Sequence, residues 1–287
     1  MTGNLERLVA EELALPVDRK VVAMAAAVAE RHGAASRAVL FYGSCLREKQ
    51  LDGLMLDFYL IVSDYRAAYD KPWMARANAL IPPNVFPFQY DGLAAKYAVL
   101  SEADFHRLNG PETRNVSVWA RFAQPSRLVW AADAAAGYAA IEAVARAAPT
   151  LLGAAGRGSG EAPLDWWRRA FSLTYSAELR AERKGRSGSV VDADAERYMR
   201  FSAPAAAAIE PRCLSGGWAR RRVEGKLLSV ARLAKASATY AGGADYIVWK
   251  INRHAGTDFA LKPWQRRHPL LAAISLLPRL LKSGAIR

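Results

Sequence analysis

The spacing of hydrophobic and polar positions changes several times along the chain, and each change predicts an element. Residues 5–32, rich in Ala, Glu, Leu and Val, read as helical and stop at Gly33. The short apolar run R-A-V-L-F-Y (37–42) ends at Gly43 and suits a buried strand. A second run, L-M-L-D-F-Y-L-I-V (54–62), has one carboxylate, Asp57, inside it. V-F-P-F-Q-Y (85–90), Asp91-Gly92 and L-A-A-K-Y-A-V-L (93–100) spell a hairpin, because Asp-Gly supplies the positive φ of a two-residue turn. Pro87 assigns the first of these strands to an edge or an irregular position, since it has no N–H to donate to a neighbouring strand. Residues 116–130 hold a further strand, or a short helix plus strand, around Trp119 and Trp130.

The character changes after residue 132. Residues 132–152 read as an Ala-rich helix, and G-R-G-S-G-E-A-P (156–163) as loop. Residues 164–183 form a helix that begins with two Trp and is broken by K-G-R-S-G-S (184–189). Residues 190–240 look mostly helical, interrupted by Pro204, Pro211 and Gly216-Gly217. The expected fold class is therefore α/β (α+β): a mixed half over 1–132, then a helical half.

Composition narrows the partners. The chain has 287 residues, 52% hydrophobic and 23% charged, which is a globular balance able to bury a sizeable core. A formal net charge of +13 points to acidic partners such as nucleotides, nucleic acid or anionic lipid. Two cysteines, Cys45 and Cys213, stand far apart in no metal-like spacing and suit a reduced, intracellular protein without disulfides or zinc. Glu6, Glu11 and Glu12 near the start fit neither a secretory nor a mitochondrial leader. With its Ala- and Arg-rich composition, the expectation is a bacterial-like cytoplasmic protein. No apolar run approaches the roughly 20 residues of a spanning helix, so a membrane would be met from its surface.

The chemistry concentrates in F-Y-G-S (41–44) and L-D-F-Y-L-I-V (56–62). Gly43 lets backbone approach a phosphate, and Ser44 offers a hydroxyl and an N–H to its oxygens. Asp57, fixed on an apolar strand, is costly to bury unless paired or metal-bound, and could hold Mg²⁺ against a triphosphate. Nucleotidyltransferases usually carry a second carboxylate two residues further on; that position is Tyr59. The bland alternatives are an ordinary Gly-Ser turn and a hydrogen-bonded structural Asp. His32, His106, His254 and His268 form no cluster in the sequence.

Y-G-S (42–44), M-L-D-F (55–58) and V-S-D (62–64) resemble the mitochondrial-type phosphatidate cytidylyltransferases, the translocator-assembly-and-maintenance type of CDP-diacylglycerol synthase. That family has a hydrophobic residue where Tyr59 stands. K-Y-A-V-L-S (96–101), A-R-F-A-Q-P (120–125) and L-T-Y-S-A-E-L-R (173–180) continue the similarity in order, over roughly residues 40–200. The family's His-rich stretch is replaced here by Y-R-A-A-Y-D-K-P (65–72). The resemblance implies a nucleotidyltransferase-fold mixed sheet with helices (1–132), a helical winged-helix-like domain (133–247) and a C-terminal membrane-binding segment (248–287). It implies Mg²⁺, CTP and phosphatidic acid. Tyr42, Gly43, Ser44 and Arg180 would bind nucleotide. Asp57, Lys96 and Arg121 would act in catalysis. Asp57 would bind metal, with Asp64 or Asp52 as a second carboxylate. The structural alternatives are a turn residue for Asp64, solvated strand-edge charges for Lys96 and Arg121, and a pairing of Arg180 with Glu178 or Glu182.

Residues 248–287 contain eight Lys or Arg and one acid, Asp258. Within them, R-R-H-P-L-L-A-A-I-S-L-L-P-R-L-L-K (266–282) places Leu270, Ile274, Leu277 and Leu281 on one helical face. That pattern suits a basic amphipathic anchor on the inner membrane face, or a helix docked on the protein's own core. W-A-R-R-R-V-E-G-K (218–226) is a second basic stretch. The expected partners are anionic lipid and CTP, with no nucleic acid and with a homodimer as an option. Two other readings stay open: a soluble nucleotidyltransferase acting on RNA or a small polar acceptor, and an inactive lipid-binding or assembly protein on the same scaffold.

Overall fold

The computed structural model describes residues 2–47, 51, 53–178, 190–211 and 216–239. Asp52, Arg180, Glu182, Cys213, His254, His268 and the whole segment 248–287 with its amphipathic pattern lie outside the described residues.

The architecture is mixed α/β around one five-stranded sheet. Helix α1 (Thr2–Leu13) turns Leu5, Leu8, Val9 and Leu13 inward at helical spacing. Helix α2 (Arg19–Glu30) buries Val21, Met24, Ala25, Val28 and Ala29. The single helix expected over 5–32 is thus two. Pro16 removes a backbone donor between them, and Asp18 starts a new helix by accepting from Lys20 N at 2.7 Å.

The strands are β1 (Ser36–Tyr42), β2 (Met55–Val62), β3 (Asn84–Tyr90), β4 (Leu93–Ser101) and β5 (Ser126–Ala131). Their spatial order is β3-β4-β2-β1-β5, with β2 and β4 parallel and the other pairs antiparallel. Asp91 (φ 47) and Gly92 (φ 73) make the expected tight turn, and Pro87 sits on edge strand β3. Helices α3 (Tyr65–Ala68) and α4 (Pro72–Leu80) lie between β2 and β3 in the chain.

Beyond the hairpin come α5 (Glu102–Asn109), α6 (Trp119–Phe122), α7 (Ala134–Ala145), α8 (Ala147–Ala155), α9 (Pro163–Ala177), α10 (Ala195–Ala207) and α11 (Trp218–Thr239). The Ala-rich helix expected over 132–152 is split at Arg146, with Pro149 admitted in the first turn of α8. Pro204 lies inside α10 rather than ending it.

Alternation along the strands sorts side chains into two cores. Val39, Phe41, Phe58, Leu60 and Val99 face α2 on one side. Leu40, Tyr59, Ile61, Ala98 and Leu100 face the other side, in one continuous core with residues of α1 and α5 through α10, including Trp119, Trp167 and Tyr198. That core spans both sides of residue 132. A buried ion pair reinforces it: Arg197 of α10 donates through Nη2 to Glu12 of α1 at 2.9 Å. No helix among the described residues is long and apolar enough to cross a membrane.

Candidate functional site

Strand register builds the site. Tyr42 of β1 lies opposite Asp57 of β2, and Asp57 lies opposite Lys96 of β4. Cross-strand partners share a sheet face, so these three side chains form one lateral row at the end of β1 and the start of β2. Lys96 Nζ stands 3.0 Å from Asp57 Oδ1, an ion pair on an oxygen shielded from solvent, with angles that fall short of a hydrogen bond. The two side chains are 25% and 22% exposed, so the pair is within reach of solvent.

Gly43 follows Tyr42 with φ 96, a conformation that L side chains rarely adopt. A Cβ there would stand 3.3 Å from Asp57 Oδ2, so the missing side chain keeps space in front of the carboxylate. Ser44 is exposed and opens a short 3₁₀ turn over Ser44–Arg47. Cys45 Sγ, 3.5 Å from the Met55 carbonyl oxygen, ties that turn to the start of β2.

Arg121 reaches the same row from α6. Its Nη1 donates to the Ser117 carbonyl and lies 3.7 Å from buried Glu178. Burial alone would lower the Arg121 pKa; Tyr59, Glu178, Tyr42 and Asp57 around it outweigh burial and raise it. Burial, then the charge of Asp57, pushes the Tyr42 phenol well above the usual tyrosine value, so it stays a neutral hydroxyl.

Two more cations come from α11, which packs on β3 and α9. Arg232 donates through Nε to the Pro82 carbonyl at 2.8 Å and through Nη1 to Ser117 Oγ at 2.9 Å. Lys235 donates to the carbonyls of Ile81 and, at 2.9 Å, of Pro83. Sequence reasoning missed both. Their spacing of three along a helix was the available signal, but nothing local says that this face turns toward the sheet. Gly225 makes the approach possible, because a Cβ there would overlap the Ala177 carbonyl oxygen at the end of α9.

The structure therefore brings Tyr42, Gly43, Asp57, Lys96 and Arg121 together, with Ser44 beside Gly43. It does not bring Asp64 to them. Asp57 to Val62 is about 17 Å of strand, and Asp64 lies beyond that far end. There its carboxylate caps α3, accepting from Arg66 N at 2.7 Å and Ala67 N at 3.0 Å. The second-carboxylate assignment of Asp64 is corrected accordingly: it is a helix cap, too far away to share a metal with Asp57. Among the described residues no group of three or more His, Cys, Asp or Glu could hold a metal ion. The donor set at the row is one carboxylate, which suits Mg²⁺ carried mainly by phosphate oxygens and water.

No protein-family model matches the chain, and no curated protein matches it.

Proposed function

We propose that the chain is a Mg²⁺-dependent nucleotidyltransferase that moves CMP from CTP to the phosphate of phosphatidic acid, giving CDP-diacylglycerol and pyrophosphate at a membrane surface. The observation that carries the transfer chemistry is the placement of Gly43 directly against Asp57 Oδ2, in a row that ends in Lys96 and is overlooked by Arg121. The choice of CTP and phosphatidic acid comes from the resemblance of Y-G-S, M-L-D-F and K-Y-A-V-L-S to phosphatidate cytidylyltransferases. The finer architecture, a nucleotidyltransferase fold with a winged-helix-like second domain and a lipid-binding C-terminal helix, belongs to the same proposal.

The reaction is an in-line displacement. A phosphomonoester oxygen of the acceptor forms a bond to the α-phosphorus of CTP as the bond to the bridging oxygen of pyrophosphate breaks. The attacking oxygen is already anionic near neutrality, so positioning and charge neutralisation dominate over proton removal. Backbone at Gly43 and Ser44 would take the triphosphate oxygens, a role supported by the missing Cβ at Gly43. Lys96 and Arg121 offset its negative charge, and the neutral Tyr42 hydroxyl offers a hydrogen bond without repelling phosphate. Asp57 would hold the magnesium, which when bound supplies further charge neutralisation on the leaving pyrophosphate.

A second reading has its own support. Asp57 is ion-paired by Lys96 and has no carboxylate neighbour two residues on, which favours a nucleotide- or lipid-binding scaffold without turnover. Label from α-labelled CTP, followed into organic-extractable lipid with phosphatidic acid liposomes and Mg²⁺, separates the two. Product that disappears in Asp57→Ala supports transfer. Wild-type protein that binds liposomes tightly yet makes no CDP-lipid overturns it.

A further inference from the structure

Ser117 is where two arginines meet. Arg121 uses its carbonyl and Arg232 its hydroxyl, so guanidinium groups from α6 and α11 are held side by side on one residue. Their surroundings differ. Arg121 has Glu178 at 3.7 Å as a counter-charge. Among the described residues no carboxylate lies within ion-pair distance of Arg232, and Glu178 acts on it only from further away. Its Nε and Nη1 are taken by the Pro82 carbonyl and Ser117 Oγ, while its Nη2 is shielded from solvent with no hydrogen-bond partner there. A shielded cationic donor without an acceptor is costly, and the cost is removed by a charged acceptor.

We propose that Arg232, oriented by Ser117 and the Pro82 carbonyl, binds a phosphate group beside Arg121. Phosphate oxygens match a guanidinium fork, and a shielded site strengthens the pairing. Arg121, held on the same Ser117, is 31% exposed, so solvent reaches its side of the arginine pair. The local field also fits an anion: Lys235, one helical turn on, is pulled down to about 7 by burial and by the charge of Arg232. The phosphate belongs either to the polyphosphate end of a nucleotide or to a phosphomonoester acceptor. Tying the site to those two sources rests on the nucleotidyl-transfer reading; the anion site itself rests on Arg232.

Isothermal titration of the full chain with pyrophosphate and, separately, with glycerol 3-phosphate tests it. Arg232→Gln should weaken one of the two on the order of 10- to 100-fold, the range of a charge-assisted hydrogen bond. Loss for pyrophosphate assigns the nucleotide end, and loss for glycerol 3-phosphate assigns the acceptor. Ser117→Ala should weaken the same ligand several-fold, and it decides the matter if Arg232→Gln does not fold. Wild-type affinity for both ligands in the folded variants, or a wild-type protein that binds neither, overturns the proposal. Phosphate binding that depends on Arg232, in a protein that transfers no CMP, would remove the proposed reaction and leave the anion site standing.

Discussion

Asp57 and Lys96 are 39 residues apart in sequence yet sit opposite each other on parallel strands, with Nζ 3.0 Å from Oδ1. Neither side chain has the same electrostatic setting without the other. Asp57→Asn should keep the fold and lower CMP transfer on the order of 10²- to 10³-fold, the usual cost of deleting one preorganised electrostatic group. Lys96→Met should lower it as well, since Asp57 then loses its cation. Single-turnover rates with α-labelled CTP, beside a thermal melt, check both. Normal rates in the two variants would remove the row from the chemistry.

Gly43 stands at φ 96 with its missing Cβ aimed at Asp57. Gly43→Ala should cost about 1–3 kcal/mol in backbone strain. It should also depress transfer by crowding the carboxylate. Urea unfolding measures the first effect, and kcat/KM for CTP the second. A variant as stable and active as the parent would mean that the turn relaxes freely.

Gly225 lies in the interior of α11, where alanine would ordinarily stabilise a helix by up to about 1 kcal/mol. Here Gly225→Ala should instead destabilise, by about 1–3 kcal/mol, because the methyl group meets the Ala177 carbonyl and the helices must separate. The same shift would carry Arg232 and Lys235 away from the sheet, so phosphate affinity should fall with stability. A gain in stability would refute this helix crossing.

Glu12 and Arg197 are each 6% exposed and join the first helix to α10. Glu12→Gln leaves a buried guanidinium without its charge and should cost about 3–5 kcal/mol. Glu12→Leu combined with Arg197→Met should recover much of that loss, because two desolvated charges leave together. Chemical denaturation of the single and double variants measures the coupling; additive losses would argue against a direct pair.

Lys235 adds a pH dependence. Burial, and then the charge of Arg232, holds its ammonium near 7 in the folded protein, against about 10.4 in an unfolded chain. Across that window the unfolded chain keeps a proton that the folded protein has lost, so this group makes stability rise with pH. Below about 7 both states are protonated and its slope vanishes. Urea midpoints at pH 6, 7.5 and 9 should rise more for wild type than for Lys235→Met. Parallel curves would show that Lys235 titrates normally.

The local pattern carried the elements that local forces decide. The Asp91-Gly92 hairpin, the apolar runs of β1 and β2 and the edge position of Pro87 all follow from backbone preferences within a few residues, whereas the helix expected to run to Gly33 ends at Glu30 and Gly33 opens a short 3₁₀ turn. It also singled out Asp57, because a carboxylate in an apolar strand is expensive wherever that strand lies. It did not separate α1 from α2, where one proline outweighed a continuous helical composition.

Placement came from the tertiary structure. Asp64 and Asp57 look like neighbours in sequence, but an extended strand carries them to opposite ends of the sheet, and Asp64 is spent on a helix cap. Lys96 meets Asp57 only because β4 pairs in parallel with β2 at one particular register. Arg121 and Arg232 meet at Ser117 only because Gly225 lets α11 close on α9. Periodicity records which face of an element is buried. Register and helix crossing depend on contacts between residues far apart in the chain, and no local pattern encodes them.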